Sequence, residues 1–390
     1  MEKKMDKQTS TDLLGERHPP LPPLLGGNLV LLNFMGKTRP FAPLFRGELF
    51  LVFVVFLFLT VGCSAEEENV FDRELNYQSV STQTVSQFDQ IYQPNVLQII
   101  GDRLFISEQT GTPSFHILNI GENGELVYER GEGREGQGPG EFTRLMEIID
   151  ADSLIYIYDG GQFKLAGYDL QGNRLPEIEE SLQTEGLPNS MFTVSEDRIV
   201  ASGTFFHNRF QMFSMEGEPL GGYGELIELD EEFPPSANAI AWLSRAAMHP
   251  DREALYLFSH FAEYIEKYSL EGDLLIEVRG SNFPVPKVRL DNGHPIDDGG
   301  IIAYLKADSN RDYIYALYSG APRTRTSEES INPLYSNKIH KFDFDLNLIN
   351  AYELDHRTLS FTVDDEGGIY TTMTTEDEVE IRYTVLDNSM

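Results

Sequence analysis

The sequence predicts an all-β fold, a six-bladed β-propeller, and three observations support this prediction. Two short motifs, each combining a turn with an apolar and aromatic strand, recur six times in phase along the chain. Their spacing of about 45–60 residues is typical of a propeller blade of four short strands. Aromatic residues are abundant, with 25 Phe and 18 Tyr, as strands favour. Because one blade cannot bury both faces of its sheet, we expect the blades to stack around an axis until the ring closes.

The clearest copy of the repeat lies at residues 152–175. An alternating apolar run at Leu154, Tyr156 and Tyr158 ends in a Gly-rich turn, and a second run around Tyr168 ends at Gly172. Alternation with a period of two residues, bounded by turn residues, predicts a β-hairpin with one buried face.

The two motifs mark corresponding places in each repeat. The first, a polar turn leading into a strand, occurs at residues 101–105, 151–156, 196–200, 251–256, 310–315 and 366–370. The second, an aromatic-centred strand followed by a turn, occurs at residues 118–124, 168–173, 213–218, 268–273, 342–347 and 383–388. Gly and Asn in these turns supply the positive φ that tight hairpins need.

The two ends of the propeller domain complement each other. The last repeat has room for only three strands, whereas residues 75–87 form a β-prone stretch ahead of the first full repeat. We therefore predict that the N-terminal strand completes the last blade, which removes an open sheet edge. The alternative is a β-sandwich, against which the even spacing of the repeats argues.

The first 62 residues are expected to lie outside the folded domain. Residues 49–59 form an unbroken run of 11 apolar residues, too short for a membrane-spanning helix, which needs about 20. Lys37, Arg39 and Arg46 precede this run, and small residues follow it. This order predicts a secretory signal peptide over residues 1–62. Because the Pro-rich segment before Met35 does not suit such a signal, we expect Met35 to be the true start.

Cys63 is the only cysteine, so an internal disulfide is excluded. Residues 59–63, Leu-Thr-Val-Gly-Cys, resemble the lipobox of bacterial lipoproteins, although Thr60 stands where Leu is commonest. The resemblance implies that Cys63 is acylated and becomes the mature N-terminus, and acyl chains give firm membrane attachment. An ordinary signal peptide or a short anchor is the alternative. Residues 63–74 then form a lipidated tether, and residues 75–390 form the propeller domain.

The tether and the charge of the chain bear on location and partners. Ser64 followed by the acidic residues 66–68 resembles the outer-membrane and surface-export tethers of some Gram-negative lipoproteins. This resemblance implies secretion across the inner membrane and anchoring at the outer membrane, with the periplasmic or the surface leaflet left open. The formal net charge of −33 argues against a nucleic-acid partner, whose phosphates would be repelled.

A Gly-rich segment separates the first two repeats. The sequence of residues 136–142, GQGPGEF, resembles the GxGPGEF segment of six-bladed TolB-like propeller lipoproteins, and the resemblance implies that fold for residues 70–390. Two interpretations of the motif stay open. The turn is fixed by Gly and Pro while the aromatic ring inserts between blades, or the segment contacts a ligand at the rim. The motif residues are Gly138, Pro139, Gly140, Glu141 and Phe142.

The sequence carries no catalytic signature. The histidines show no HxxxH or HExxH spacing, no GxSxG elbow occurs, and no Lys-Ser/Thr pair follows the Gly-rich segment. We therefore predict a non-enzymatic, cofactor-free binding module, expected to be a monomer. The alternative is a calcium-dependent hydrolase of the lactonase or lyase type. Its candidate carboxylates, Asp152, Asp251 and Asp365, lie in turns where Asp is common in any case.

Propellers usually bind their ligands through the loops of one face. These are the loops entering the first strand of each blade and those joining its second and third strands. Basic and imidazole side chains in such loops suit an anionic or saccharide ligand, and a peptide or a partner protein is also compatible. Solvated loops with local salt bridges are the alternative. The candidate residues are Arg144, His207, Arg209, Arg245 and His260.

Overall fold

The computed structural model describes residues 75–386 with internal gaps. The gaps are residues 122–123, 228, 230–232, 281–285, 287, 292–293, 298–299, 324–331 and 376–377. The predicted signal peptide, the tether and Cys63 lie outside the described residues, and those predictions stay untested.

The described strands form six blades around a ring, with consecutive strands paired in each blade. Two N-terminal strands precede the first blade: β1 (Gln78–Val80) and β2 (Gln83–Phe88). The first blade contains β3 (Pro94–Ile100), β4 (Arg103–Glu108), β5 (Phe115–Ile120) and β6 (Leu126–Glu132). Two short strands follow it, β7 (Arg134–Glu135) and β8 (Glu141–Phe142). The second blade contains β9 (Leu145–Asp150), β10 (Leu154–Asp159), β11 (Lys164–Asp169) and β12 (Arg174–Ser181).

The remaining blades follow the same order. The third blade contains β13 (Pro188–Ser195), β14 (Arg198–Gly203), β15 (Asn208–Ser214) and β16 (Pro219–Glu225), followed by helix α1 (Pro235–Ala241). The fourth contains β17 (Ser244–Met248), β18 (Ala254–Ser259), β19 (Tyr264–Ser269) and β20 (Leu274–Arg279), followed by the hairpin β21 (Val288–Asp291) and β22 (His294–Asp297). The fifth contains β23 (Ile301–Ser309), β24 (Ile314–Pro322), β25 (Ser336–Phe342) and β26 (Leu348–Thr358). The sixth contains β27 (Phe361–Val363), β28 (Gly368–Thr374) and β29 (Val379–Val385).

In the first five blades the two sequence motifs coincide with the two hairpin turns of the blade. The first motif places a positive φ between the first and second strands, as at Asp152 (φ 61°), and the second does so between the third and fourth, as at Gly172 (φ 78°). A Cβ on Gly172 would stand 2.2 Å from Ile117 Cδ1 of the preceding blade. This turn therefore needs glycine both for its backbone conformation and for the close approach of its neighbour.

The hydrophobic core lies between the blades. Among the described residues, six clusters each join two consecutive blades around the ring. Between the first and second blades, for example, the ring of Phe115 meets that of Tyr168 edge-on with centroids 5.3 Å apart. Since each cluster is made of side chains from two blades, no blade can bury the faces of its sheet without its neighbours.

The N-terminal strand closes the ring, which confirms the predicted closure and excludes the β-sandwich alternative. Strand β2 pairs antiparallel with β29, with Gln83 opposite Tyr383. A further contact was not predicted: β1 pairs in parallel with β26, with Gln78 opposite Tyr352. The N-terminal segment thus adds a strand to both the fifth and the sixth blade.

The first strand of each blade lies next to the ring axis. Each of these strands contacts the first strands of both neighbouring blades, so together they line a central channel; they are β3, β9, β13, β17, β23 and β27. Within the described part of the chain, no helix has the length and apolarity needed to cross a bilayer.

Candidate functional site

The candidate site is a cavity at one end of the central channel. Because the strands of a blade alternate in direction, the loops entering the first strands and the loops joining second and third strands share one end of the ring. We name this end the loop face and the opposite end the hairpin face. The loop-face end of the channel holds a cavity of about 150 Å³, the channel-mouth cavity. Each blade contributes to its lining, from first to sixth through Asn95, Arg144, Asn189, Arg245, Lys306 and Ser360.

Three basic side chains line the channel-mouth cavity. They are the guanidinium groups of Arg144 and Arg245 and the ammonium group of Lys306, and one carboxylate, that of Glu147, accompanies them. Lys306 Nζ lies 3.7 Å from Glu147 Oε1. In a chain with a net charge of −33, this is an unusual local excess of positive charge.

Burial shifts the protonation equilibria of the cavity. Burial raises the pKa of the Glu147 carboxyl, and the positive charge of Lys306 opposes this rise. Burial also lowers the pKa of Arg245 to about 10; the Glu147 carboxylate opposes this shift, and the charge of Arg144 adds to it. Arg245 therefore stays a cation at neutral pH, but at a cost in desolvation.

Two buried donors in the cavity lack acceptors. Within the described part of the chain, Arg245 Nε and Asn189 Nδ2 are buried without a hydrogen-bond partner. Buried donors are normally paired with protein or water acceptors. The cavity thus presents unused donors together with positive charge, which is the chemistry that binds oxygen-rich or anionic groups.

The hairpin-face end of the channel has the opposite charge. A cavity of about 620 Å³ there is lined by Asp150, Asp308 and Asp364, among others. Burial raises the pKa of each of these three carboxyls. The carboxylate of Asp308 accepts hydrogen bonds from Thr362 Oγ1 at 2.9 Å and Val363 N at 3.1 Å. The channel is therefore basic at the loop face and acidic at the hairpin face.

Two of the three carboxylates predicted by position for a calcium site form ion pairs, whereas for Asp251 the described residues show only a backbone hydrogen bond, from its N to His249 Nδ1. Asp152 forms an ion pair with Arg252 at 2.8 Å and Asp365 one with Arg311 at 2.7 Å, both at hairpin turns. Among the described residues, no group of three or more His, Cys, Asp or Glu side chains is placed to hold a metal ion. Calcium usually takes six to eight oxygen ligands, which include carboxylates, carbonyl oxygens and waters.

The structure brings together two of the predicted ligand-binding residues and separates the others. Arg144, exposed, and Arg245, partly buried, both line the channel-mouth cavity. His207 is exposed on its loop and does not line that cavity.

Arg209 requires a correction. The residue is 3% exposed, and its side-chain donors are used inside the protein, by the Glu266 carboxylate and by Trp242 O and Ser244 Oγ. Its place two residues after a loop residue suggested exposure, but strand alternation turns the side chain inward. We do not retain Arg209 as a ligand-binding residue.

His260 requires the same correction. It is 4% exposed, and its Nδ1 lies 2.6 Å from the carbonyl oxygen of Tyr304 on the next blade. Burial, aided by the charge of Arg245, lowers the pKa of His260 to about 3, so the imidazole is neutral at physiological pH. Its geometry is that of a contact between blades.

The GQGPGEF motif forms a fixed turn. Glu141 N donates to Gly138 O at 3.0 Å, and the Glu141 carboxylate accepts from Gly138 N at 2.8 Å. Lys164 Nζ on the second blade donates to Glu141 O at 2.7 Å. Phe142 is 2% exposed and packs between the first and second blades, whereas Pro139 is exposed. Phe142 therefore matches the interpretation in which the aromatic ring of the motif inserts between two blades.

Sequence reasoning missed Glu147, Lys306 and Asn189. Glu147 and Lys306 each interrupt the apolar part of a first strand, in the sequences LMEIID and IIAYLKADS. A charged residue within an apolar stretch of a strand could have identified these two positions, because such a side chain must face either the channel or a buried partner. The candidate residues were chosen from expected loops, so these strand residues were not among them.

Fold and channel together define a class of protein, a six-bladed β-propeller with a polar, charge-graded central channel. A family model described as TolB-like 6-blade propeller-like matches residues 71–366. The chain belongs to this family.

Solved structures resemble the chain in fold. A member of the DUF4221 family from Bacteroides vulgatus aligns with a TM-score of 0.51 at 9% identity, covering 78% of this chain and 97% of that one. Virginiamycin B lyase from Staphylococcus aureus aligns with a TM-score of 0.44 at 12% identity, covering 78% and 98%. The Cps50 (Swd1) β-propeller domain of Myceliophteria thermophila aligns with a TM-score of 0.45 at 9% identity, covering 77% and 99%. At these identities the likeness concerns the fold alone. No curated protein matches the chain.

Proposed function

We propose that this protein is an exported propeller, anchored by a lipid at Cys63 to the outer membrane, that binds a ligand in its channel-mouth cavity. The lipobox-like residues 59–63 and the acidic tether support the anchor. The ring supplies a rigid scaffold, since its six blades pack on one another around a closed circle. Ligand binding, rather than catalysis, is the activity proposed for the site.

The observation that carries the binding role is the composition of the channel-mouth cavity. All six blades contribute to its lining, and the side chains include two arginines, one lysine and two amides. Ligand sites commonly combine a concave shape with a few converging polar groups. Residues from six separate repeats converge on this one point because the ring brings the first strands together.

The anchor is tested with the variant Cys63→Ser. We expect wild-type protein expressed in a Gram-negative host to incorporate labelled palmitate and to sediment with the outer membrane. The variant should lose the label and leave the membrane fraction. Unchanged labelling and fractionation in Cys63→Ser would contradict lipidation.

The binding role is tested by thermal shift with saccharides, short peptides and small acids. A ligand that binds only the folded state raises the melting temperature by linkage. We expect at least one of these classes to do so, and we expect the effect to disappear in Arg144→Trp, whose indole would fill the cavity mouth. Arg311→Trp on the hairpin face is the matched control. Stabilisation that survives in Arg144→Trp, or none with any class, would contradict a channel-mouth site.

A further inference from the structure

We propose that the channel-mouth cavity binds a small polyhydroxylated monocarboxylate, a sugar acid, with its carboxylate held between Arg144 and Arg245. This inference rests on the binding role proposed above and names the chemical class of the ligand. It follows from the charges, the unpaired donors and the size of the cavity.

Within the described part of the chain, neither the Arg144 nor the Arg245 side chain forms an ion pair or a hydrogen bond, although both line one cavity. Burial of the Arg245 cation is costly, because the Glu147 carboxylate offsets its desolvation only in part and the charge of Arg144 adds repulsion. An anion bound by both guanidinium groups would offset the desolvation of Arg245 and reduce their mutual repulsion.

The guanidinium groups and their charged neighbours favour one kind of anion. The planar guanidinium fork matches a carboxylate or a phosphate through two parallel N–H···O bonds. Glu147 lies in the same cavity, with Lys306 at 3.7 Å as its ion-pair partner. Lys306 is thus partly neutralised, and the Glu147 carboxylate repels further negative charge. This arrangement favours a monoanionic carboxylate over a phosphate dianion.

The neutral side chains of the cavity bear on the rest of the ligand. Asn95, Asn189 and Ser360 bring amide and hydroxyl groups to the cavity wall, and Asn189 Nδ2 is a buried donor without an acceptor in the described residues. Neutral amides and hydroxyls suit sugar hydroxyl groups, which both donate and accept. A cavity of about 150 Å³ has room for one small sugar unit and excludes a folded partner.

The experiment uses the full chain purified in detergent and measures binding by titration calorimetry. The probes are galacturonate and glucuronate, the neutral sugars galactose and glucose, and inorganic phosphate. We expect a uronate to bind and the matching neutral sugar and phosphate to bind at least about tenfold more weakly, because a lost charged hydrogen bond has about that effect. The interaction should weaken with added salt.

Variants locate the site. Arg144→Met and Arg245→Met should each weaken uronate binding by about 10- to 100-fold, while the melting temperature of the ligand-free protein stays equal or rises. Arg311→Met, an exposed arginine paired with Asp365 on the hairpin face, is the matched control and should bind normally. Arg144 is exposed, so its variant keeps the test valid even if Arg245→Met folds poorly.

The outcomes separate this inference from the binding role. No uronate binding at millimolar concentration, equal binding of neutral sugar or phosphate, or full binding by both arginine variants would overturn the sugar-acid proposal. If a neutral sugar or a peptide binds instead and Arg144→Trp abolishes it, the channel-mouth site stands and only the ligand class is wrong. If no class binds there, both proposals fail.

Discussion

Arg209 Nε on β15 donates to Glu266 Oε2 on β19 at 2.8 Å, which joins the third and fourth blades by an ion pair within the protein interior. Both side chains are nearly inaccessible, at 2% and 3% exposure. The same guanidinium donates to Trp242 O, next to the helix α1, and to Ser244 Oγ. Tyr268 Oη in turn donates to the other Glu266 oxygen at 2.8 Å. One arginine thus connects two blades and the loop between them.

We predict that Arg209→Met destabilises the protein by about 3–5 kcal/mol, because it leaves the buried Glu266 carboxylate without its counter-charge. Urea unfolding measures the change. Arg198→Met, at an exposed position on the preceding strand, is the control and should change the free energy of unfolding by less than about 0.5 kcal/mol. If Arg209→Met were as mild as the control, the ion pair would not stabilise the contact between blades.

Thr82 connects the closing strands. Its Oγ1 donates to Asp355 Oδ1 of the fifth blade at 2.7 Å and accepts from Arg382 Nε of the sixth at 2.7 Å. We predict that Thr82→Val, which keeps the shape and removes the hydroxyl, lowers stability by about 1–3 kcal/mol, since two charged groups lose a partner.

Thermal melting of Thr82→Val tests this prediction. The matched control is Thr84→Val, whose exposed hydroxyl donates only to Glu380 among the described residues. A melting temperature for Thr82→Val no lower than that of the control would show that the strand pairing alone closes the ring.

Phe142 tests the role of the GQGPGEF motif. We predict that Phe142→Ala lowers the free energy of unfolding by about 3–5 kcal/mol, the usual cost of removing a buried aromatic ring. Pro139→Ala, at the exposed tip of the same turn, should have a much smaller effect. If instead Pro139→Ala were the more damaging change, the rigidity of the turn would matter more than the inserted ring.

Asp159 gives a pH-dependent prediction. Burial alone would raise the pKa of Asp159, but hydrogen bonds from Thr143 N, Gln162 Nε2 and Gly161 N outweigh it and hold the pKa below its ordinary value of 3.8. A carboxylate with a lowered folded-state pKa stabilises the fold above its unfolded-state pKa, and this contribution is lost as the pH falls through the folded-state value.

The test compares melting temperatures of wild type and Asp159→Asn from neutral to strongly acidic pH. We expect the wild type to melt higher at neutral pH and its advantage to shrink once the pH falls below about 3.8. A difference that stays constant down to the lowest pH would contradict the role of the ionised carboxylate.

Chelation tests the alternative of a calcium-dependent enzyme. We expect EDTA to leave the melting temperature unchanged, because the proposed binding role involves no metal. A bound metal would stabilise the folded state, and its removal would lower the melting temperature. A decrease of several degrees that added calcium reverses would favour the metal-dependent alternative.

The sequence determined the fold through local rules. Alternating strands such as Leu154–Asp159 and turns that require positive φ, as at Gly172, repeat at a blade-sized interval, and six such sheets bury their faces only by closing a ring. The missing strand of the last repeat also predicted the pairing of β2 with β29, because an unpaired edge must be covered. Arg144 and Arg245 could be placed near the loop face because the sequence puts them where the chain enters the first strand of a blade.

Tertiary structure alone decided which side chains share a cavity. Glu147 and Lys306 stand far apart in the chain and in different blades, and only the closed ring brings their charged groups to 3.7 Å. Likewise, Arg209 and His260 occupy loop-adjacent positions in the sequence, but their direction depends on which side of a strand faces the next blade. Local patterns set the strands and turns, whereas packing between distant blades sets burial, charge pairing and the contents of the channel.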